Sequence, residues 1–322
     1  WGDNQHGQSI EQSILSGHVA VSAGGSHTLA IRSDGTVDAW GWSIFGQTAV
    51  PSNLTDVVAI ESGSLSSFAI TAEGDLIAWG LEYNGQATAM AGLGNTIAIA
   101  AGDQHAVAVK SDGTVVAWGD NGSNQRDVPV GLNGVASVSA LGNFTIALKR
   151  DGTVVAWGSN LNSESLVPAS LADVVQVAAG GSHALALKSD GTIVSWGLNT
   201  SGQTDVPADI GSVKQIAAGL NHSLALKMDG TVIAWGANTD GQQIVPTELS
   251  SVGQISAGGD FSIAIIEINT NCMAGDMNGD GTVDAADHVL MSASLGICDG
   301  DINRDGMVDI DDFSVFLVSF GT

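Results

Sequence analysis

The chain is poor in cysteine, tyrosine, proline and basic side chains. Its 322 residues hold two Cys, one Tyr, five Pro and nine Lys plus Arg against 34 Asp plus Glu, for a formal net charge of −25. Two cysteines without C-x-x-C spacing give no zinc signature. The shortage of bases makes nucleic acid a poor partner, because affinity there comes from Lys and Arg neutralising phosphates. Anionic membrane surfaces are disfavoured for the same reason. No apolar run reaches the ~18 residues that a spanning helix needs. Charged residues are only 13% and hydrophobic ones 44%, which excludes a disordered chain. No nucleophile motif or phosphate loop is present, so a non-enzyme is expected, with no catalytic residues assigned.

What the chain does have is a strict internal repeat. Trp-Gly recurs at Trp1, Trp40, Trp79, Trp118, Trp157, Trp196 and Trp235, always 39 residues apart. Asp-Gly recurs at Asp34, Asp112, Asp151, Asp190 and Asp229, with Glu73-Gly74 as the variant. All five prolines (Pro51, Pro129, Pro168, Pro207, Pro246) share one phase, and a Gly-Gln pair returns at Gly7, Gly46, Gly85, Gly202 and Gly241. No insertion or deletion breaks the array.

One unit reads as short strands. In His183–Gly197, HALALKSDGTIVSWG, the Asp-Gly pair lies between two apolar runs, a hairpin signal because Gly accepts positive φ without steric cost. The preceding VVQVAAGG reads as a further strand, and Gly202 to Pro207 as a fourth. Three or four strands per ~40 residues, repeated, form the pattern of a propeller blade. The expected fold class is all-β, a seven-bladed propeller over residues 1–270. The seventh unit lacks its Asp-Gly turn and last strand, so Trp1-Gly2 is expected to complete it and join the ring. Each repeat Trp is expected to pack between neighbouring blades.

The motif G-x-x-H-x-x-A-L-K-x-D-G-T-V-x-A-W-G followed by N-x-x-G-Q-x-x-V-P resembles the regulator of chromosome condensation repeat family over about residues 1–268. That resemblance implies a seven-bladed propeller. The founder of the family exchanges nucleotide on a small GTPase and sits on chromatin. The strict repeat is also similar to the propeller-type β-lactamase inhibitor proteins of bacteria.

After Asn271 the composition changes. Residues 272–322 hold ten Asp, one Arg and no Glu or Lys. DMNGDGTVDAAD from Asp276 and DINRDGMVDIDD from Asp301 align 25 residues apart and fit the twelve-residue calcium loop. Asp276, Asn278, Asp280, the Thr282 carbonyl, Asp284 and Asp287 form the first oxygen set. Asp301, Asn303, Asp305, the Met307 carbonyl, Asp309 and Asp312 form the second. Hard oxygens at this spacing suit two Ca²⁺ ions. One amphipathic helix is expected after each loop, at about Ala286–Leu295 and Asp312–Phe320. This segment, 271–322, resembles a type I dockerin, a small α-helical domain that binds cohesins on the scaffolds of polysaccharide-degrading complexes. Cys272 and Cys298 bracket the first loop and helix; a disulfide between them would add ~3 kcal/mol, and two free thiols are the alternative. A disulfide and calcium loops fit an extracellular or cell-surface setting.

Within the array, His27, His105, His183 and His222 share a phase with Ser66, Phe144 and Phe261, which favours hydrogen-bonded structural histidines over a metal ring. Trp42 and Phe45 occupy one turn and Tyr83 the next, a candidate aromatic patch for a protein or a sugar. The expected function is a secreted, non-catalytic recognition or scaffold propeller, tethered to a protein partner such as a cohesin through a calcium-binding tail. The alternatives are a carbohydrate-binding or carbohydrate-active subunit and an inhibitor of a secreted hydrolase.

Overall fold

The computed structural model describes residues 1–9, 17–87, 93–247 and 249–266. Contacts divide the chain into two units, of which one holds residues 1–11 and 17–266. Among the described residues this unit is all β, with twenty strands and no helix. The calcium loops, the two cysteines and the two expected tail helices lie outside the described residues.

Seven sheets follow one another in the chain. Each opens on a first strand: β1 (His18–Ala23), β4 (Val57–Ser62), β7 (Thr96–Ala101), β10 (Val135–Leu141), β13 (Val174–Ala179), β16 (Val213–Ala218) and β19 (Val252–Ala257). Each first strand pairs antiparallel with a second: β2 (His27–Arg32), β5 (Ser66–Thr71), β8 (His105–Lys110), β11 (Phe144–Lys149), β14 (His183–Lys188), β17 (His222–Lys227) and β20 (Ser262–Ile266). Six sheets add a third strand that ends in Trp-Gly: β3 (Val37–Gly41), β6 (Leu76–Gly80), β9 (Val115–Gly119), β12 (Val154–Gly158), β15 (Ile193–Gly197) and β18 (Val232–Gly236). The Asp-Gly pair turns the second strand into the third. In it the Asp34 carboxylate accepts both the Thr36 N–H (2.9 Å) and the Thr36 hydroxyl (2.6 Å), and Asp112, Asp151, Asp190 and Asp229 repeat the arrangement.

The sheets close into a ring. First strands of successive sheets pack side by side, and β19 packs on β1. Backbone bonds run from sheet to sheet: Gly25 N–H to Gly63 O, Ser64 to Gly102, Asp103 to Gly142, Gly181 to Gly219, Leu220 to Gly258, and Gly259 back to Gly24 (3.0 Å). The junction between the fourth and fifth sheets has no equivalent bond among the described residues. There Leu141 replaces the repeat glycine and β10 runs on through it. The amino terminus joins the seventh sheet as expected: Trp1 exchanges two backbone bonds of 2.8 Å with Ser262, and Gly2 bridges to Phe261.

The core lies between adjacent sheets. Phe144, Ile146 and Leu148 of one sheet meet Val174, Val177, Ala184 and Trp196 of the next. The repeat Trp therefore does pack between blades, at an upper estimate of ~5 kcal/mol each for ~200 Å² of buried indole.

The expected fourth strand is absent: Gly202–Pro207 is turn and irregular backbone. The carbonyl that would continue a ladder is taken by side chains. Gln203 O accepts the Trp235 indole N–H (3.0 Å) and the Ser223 hydroxyl (2.8 Å). Gln47 O does the same for Trp79 and Ser67.

Candidate functional site

One end of the propeller, the loop face, gathers the ends of the first strands, the starts of the second strands and the Trp-Gly loops, because Ala23 pairs Thr28 and His27 pairs Gly41. The other end, the turn face, carries the Asp-Gly turns and the starts of the next first strands, since Val57 N–H bonds Gly35 O.

The phased histidines are buried joints between sheets. His27 Nε2 lies 2.9 Å from Ser67 Oγ, His105 Nε2 2.9 Å from Thr145 Oγ1, His183 Nε2 2.9 Å from Ser223 Oγ, and His222 Nε2 3.0 Å from Ser262 Oγ. Burial depresses His27, His105 and His222 to about 4 and His183 to about 3. They are neutral at physiological pH. Among the described residues no three His, Cys, Asp or Glu side chains are grouped to hold a metal ion.

The axis of the ring holds a polar cavity of about 240 Å³. One layer of its wall comes from a single repeat phase: Ser22, Glu61, Ser139, Ala178, Ala217 and Ser256. Ser22, Ser139 and Ser256 each accept the backbone N–H of the next sheet, at Ser62, Ala179 and Ala23 (2.9–3.0 Å). Glu61 receives Ala101 N–H in the same way, but burial outweighs that bond and pushes its carboxyl up to about 8.

The loop face carries the aromatic patch. Trp42 is half-buried. It meets Phe45 edge to face, with centroids 5.6 Å apart, and its ring stacks on His6 at 5.4 Å and 23°. The structure thus brings Trp42 and Phe45 together and adds His6, which the sequence reading did not single out. His6 holds the phase of Phe45 one repeat earlier, and that was the available signal. Tyr83 is 80% exposed on the neighbouring loop and makes no ring contact with Trp42 or Phe45; Ile44 is 70% exposed beside them.

Trp42 also displaces a conventional loop cap. In the seventh and third blades the same phase holds Asp3 and Asp120, whose carboxylates accept Gln8 Nε2 (2.7 Å) and Gln125 Nε2 (2.8 Å). At Trp42, Leu81 and Leu198 no carboxylate is offered, and the buried Nε2 atoms of Gln47, Gln86 and Gln203 have no partner.

Charge on the unit is polarised. Of the described bases, Arg32, Lys110, Lys149, Arg150, Lys188, Lys214 and Lys227 stand at the turn face and Arg126 follows an outer loop. The Trp-Gly loops (3–8, 42–47, 81–86, 120–125, 159–164, 198–203, 237–242) and the turns between first and second strands contain no Lys or Arg. They do contain Asp3, Glu82, Asp103, Asp120, Glu164, Asp240 and Asp260. Burial raises the Asp260 carboxyl, and Asp240 and Asp3 add to the rise; the Gln242 amide, 3.1 Å away, opposes it.

Five stretches of the chain, 19–47, 97–125, 135–164, 174–203 and 213–242, match the Regulator of chromosome condensation (RCC1) repeat. No curated protein matches the chain. The fold is similar to that of Prp20p from Saccharomyces cerevisiae, a protein described with binding properties to Gsp1p and histones (20% identity, 77% of this chain and 82% of that one, TM-score 0.63). It is also similar to human WBSCR16 (16% identity, 79% and 87%, TM-score 0.64). The ectodomain of the Arabidopsis thaliana receptor kinase ACR4 is a third such structure (18% identity, 78% and 93%, TM-score 0.63). At these identities the likeness is one of fold.

Proposed function

We infer that this propeller of RCC1 repeats is a non-catalytic protein-recognition module that meets its partner with the loop face. The observation that carries the reading is the His6–Trp42–Phe45 group. Most loop positions are small or polar and serve the repeat's own hydrogen bonds, whereas this group leaves its cap amide unpaired and shows apolar rings to solvent. Large aromatic side chains concentrate binding energy at protein interfaces. Prp20p, a structure of similar fold, is described as a binder of proteins. A sugar is the second occupant that aromatic rings suit.

The same proposal covers the tail. Residues 271–322 act as a dockerin-like module in which two Ca²⁺ ions are held by the Asp276–Asp287 and Asp301–Asp312 oxygen sets. It tethers a secreted propeller to a cohesin-like scaffold of a polysaccharide-degrading complex. The donor chemistry supports it, since oxygens at loop positions 1, 3, 5, 7, 9 and 12 match what Ca²⁺ takes.

Affinity capture with the full chain separates the two contacts. With calcium present and then chelated, a scaffold partner should be lost; with Trp42→Asp, a face partner should be lost while the scaffold partner stays. Direct calcium titration should show two sites that vanish in Asp276→Ala with Asp301→Ala. Capture unaffected by both chelator and Trp42→Asp, or turnover of a polysaccharide by the chain alone, would end this reading.

A further inference from the structure

We propose that the loop face around Trp42 docks a cationic segment of its partner, an extended stretch bearing Lys or Arg, in place of a neutral or acidic one. The proposal rests on the protein-recognition reading above and specifies its partner.

Three observations meet here. The first is the aromatic group itself. Trp42, edge-packed by Phe45 and stacked by His6, is the kind of ring that attracts ammonium and guanidinium groups through its quadrupole, and Trp does so best of the aromatic residues. Arg adds planar stacking on rings. The second is the charge that flanks it. His6 rises from the turn of Asp3, whose carboxylate accepts Gln5 N–H and Gln8 Nε2. Asp3 N–H bonds Asp260 O (2.8 Å), and the Asp260 carboxyl, raised first by burial, is raised further by the charges of Asp240 and Asp3. Asp3 shares the loop of His6, and Asp240 and Asp260 stand on the loops that lead into it; none of these loops carries Lys or Arg. The third is segregation. The bases of the unit are at the opposite end, where Lys149, Lys188 and Lys227 pair with the turn aspartates Asp151, Asp190 and Asp229 (3.0–3.1 Å). The turn face thus mixes bases with its acids, whereas the loops around Trp42 hold carboxylates and no Lys or Arg. Complementary potentials steer encounter and reject partners of the wrong sign.

The surface is open loop rather than a cavity, which suits an extended segment over a small cation. Positive side chains would lie against the Trp42 ring and reach Asp3, Asp240 and Asp260. Apolar residues between them would cover Ile44 and Phe45, which are 70% and 42% exposed.

The test uses the full chain and three fluorescein-labelled 15-residue peptides of one backbone sequence, carrying Lys and Arg, Gln, or Glu at alternate positions. Trp42→Asp is the first variant, because Asp is the residue that sister loops hold at this phase and it offers Gln47 Nε2 the cap that Gln8 and Gln125 have. Circular dichroism and thermal melting check that it folds. Asp240→Asn with Asp260→Asn is the second variant, and Asp56→Asn with Asp173→Asn, at the turn face, is the control of equal charge. The basic peptide should bind at moderate salt. Trp42→Asp should weaken it about tenfold even though the variant gains a negative charge, in line with a desolvated cation–π contact. Asp240→Asn/Asp260→Asn should weaken it and flatten its salt dependence, and the control should do neither. Equal binding of the Gln peptide, undiminished binding by Trp42→Asp, or equal weakening by the turn-face control overturns the proposal. The protein-recognition reading is judged separately, by whether Trp42→Asp loses the captured face partner whatever that partner's charge.

Discussion

His27 Nε2 and Ser67 Oγ lie 2.9 Å apart although they are forty positions distant and belong to different sheets. The Ser67 hydroxyl donates to Gln47 O at 2.7 Å, so it accepts from the histidine, and Nε2 carries the ring proton. The ring needs room as well as a partner. A Cβ on Gly24 would come within 2.8 Å of the imidazole, which is why glycine precedes each of these histidines by three positions. The pairing holds at six of the seven junctions. Where a blade has His, the next blade offers Ser or Thr; where Ser66 and Phe144 replace it, the next blade offers Ala106 and Ala184; Phe261 replaces it ahead of Thr28, whose hydroxyl donates to Gln8 O.

A double-mutant cycle tests that joint. Ser67→Ala should cost about 1–3 kcal/mol, because it leaves the His27 Nε2–H buried without an acceptor. His27→Phe combined with Ser67→Ala reproduces the Phe144/Ala184 pairing of the fourth and fifth sheets and should be more stable than Ser67→Ala alone. Urea unfolding of the three variants and the parent reads the coupling; additive losses would break the argument.

Acid should unfold the propeller through these four histidines. Their folded pKa values, about 4 for His27, His105 and His222 and about 3 for His183, lie below the unfolded value of 6.5. Between 6.5 and 4 the unfolded chain binds more protons, so stability is full above 6.5 and falls as pH drops. Each histidine contributes up to about 1.4 kcal/mol per pH unit within that window. The double variant His27→Phe/Ser67→Ala should show a shallower acid limb in thermal melts from pH 7 to pH 4.

The regular parts of this fold were legible because they repeat. Trp-Gly, Asp-Gly and the His phase each mark one backbone event, seven or fewer times in register, so blade count, hairpins and the closing role of Trp1 followed from spacing. The fourth strand was misread for a physical reason. The Gln203 and Gln47 carbonyls sit in an extended-looking stretch, but the indole N–H and a hydroxyl of the adjacent blade consume them. The His6–Trp42 stack was not visible because it joins loops of different blades, where repeat phase gives position but not ring orientation. Glu61 was legible in principle, as the single carboxylate in a phase of Ser and Ala, but spacing does not say that the phase faces the axis.

Glu61 should shape the alkaline side of the stability curve. Burial raises its folded pKa to about 8 from 4.5. The folded state keeps a proton that the unfolded state loses, so its contribution is full below 4.5 and is lost as pH rises to 8. Between 6.5 and 8 the histidine contribution is constant; the buried Trp1 amino group, held below its ordinary 8.0, opposes the Glu61 slope equally in parent and variant, so comparing the two isolates Glu61. Glu61→Gln keeps a hydrogen-bonding amide in the cavity without the charge. It should flatten the melting temperature between pH 6.5 and pH 8.5, where the parent declines. An unchanged decline would place the titration elsewhere.

Ser163 should be a site of relievable strain. At the phase of the Gly-Gln turn, Gly7, Gly46, Gly85, Gly202 and Gly241 have φ between 76° and 85°, a region in which a Cβ crowds the following carbonyl. Two blades place other residues there, Asn124 at 62° and Ser163 at 64°. Asn tolerates this conformation because its short amide can bond locally, whereas Ser gains less, so the two sites should respond differently to the same change. Ser163→Gly should raise stability by about 1 kcal/mol and Asn124→Gly by clearly less. Neither substitution touches the sheet ladder, the core or the His6–Trp42–Phe45 group, so partner binding should be unchanged while the urea midpoint of Ser163→Gly moves up. A fall in that midpoint would mean that the unfolded-state entropy of the added glycine exceeds the relieved strain, and that the turn at Ser163 is held by its neighbours at little cost.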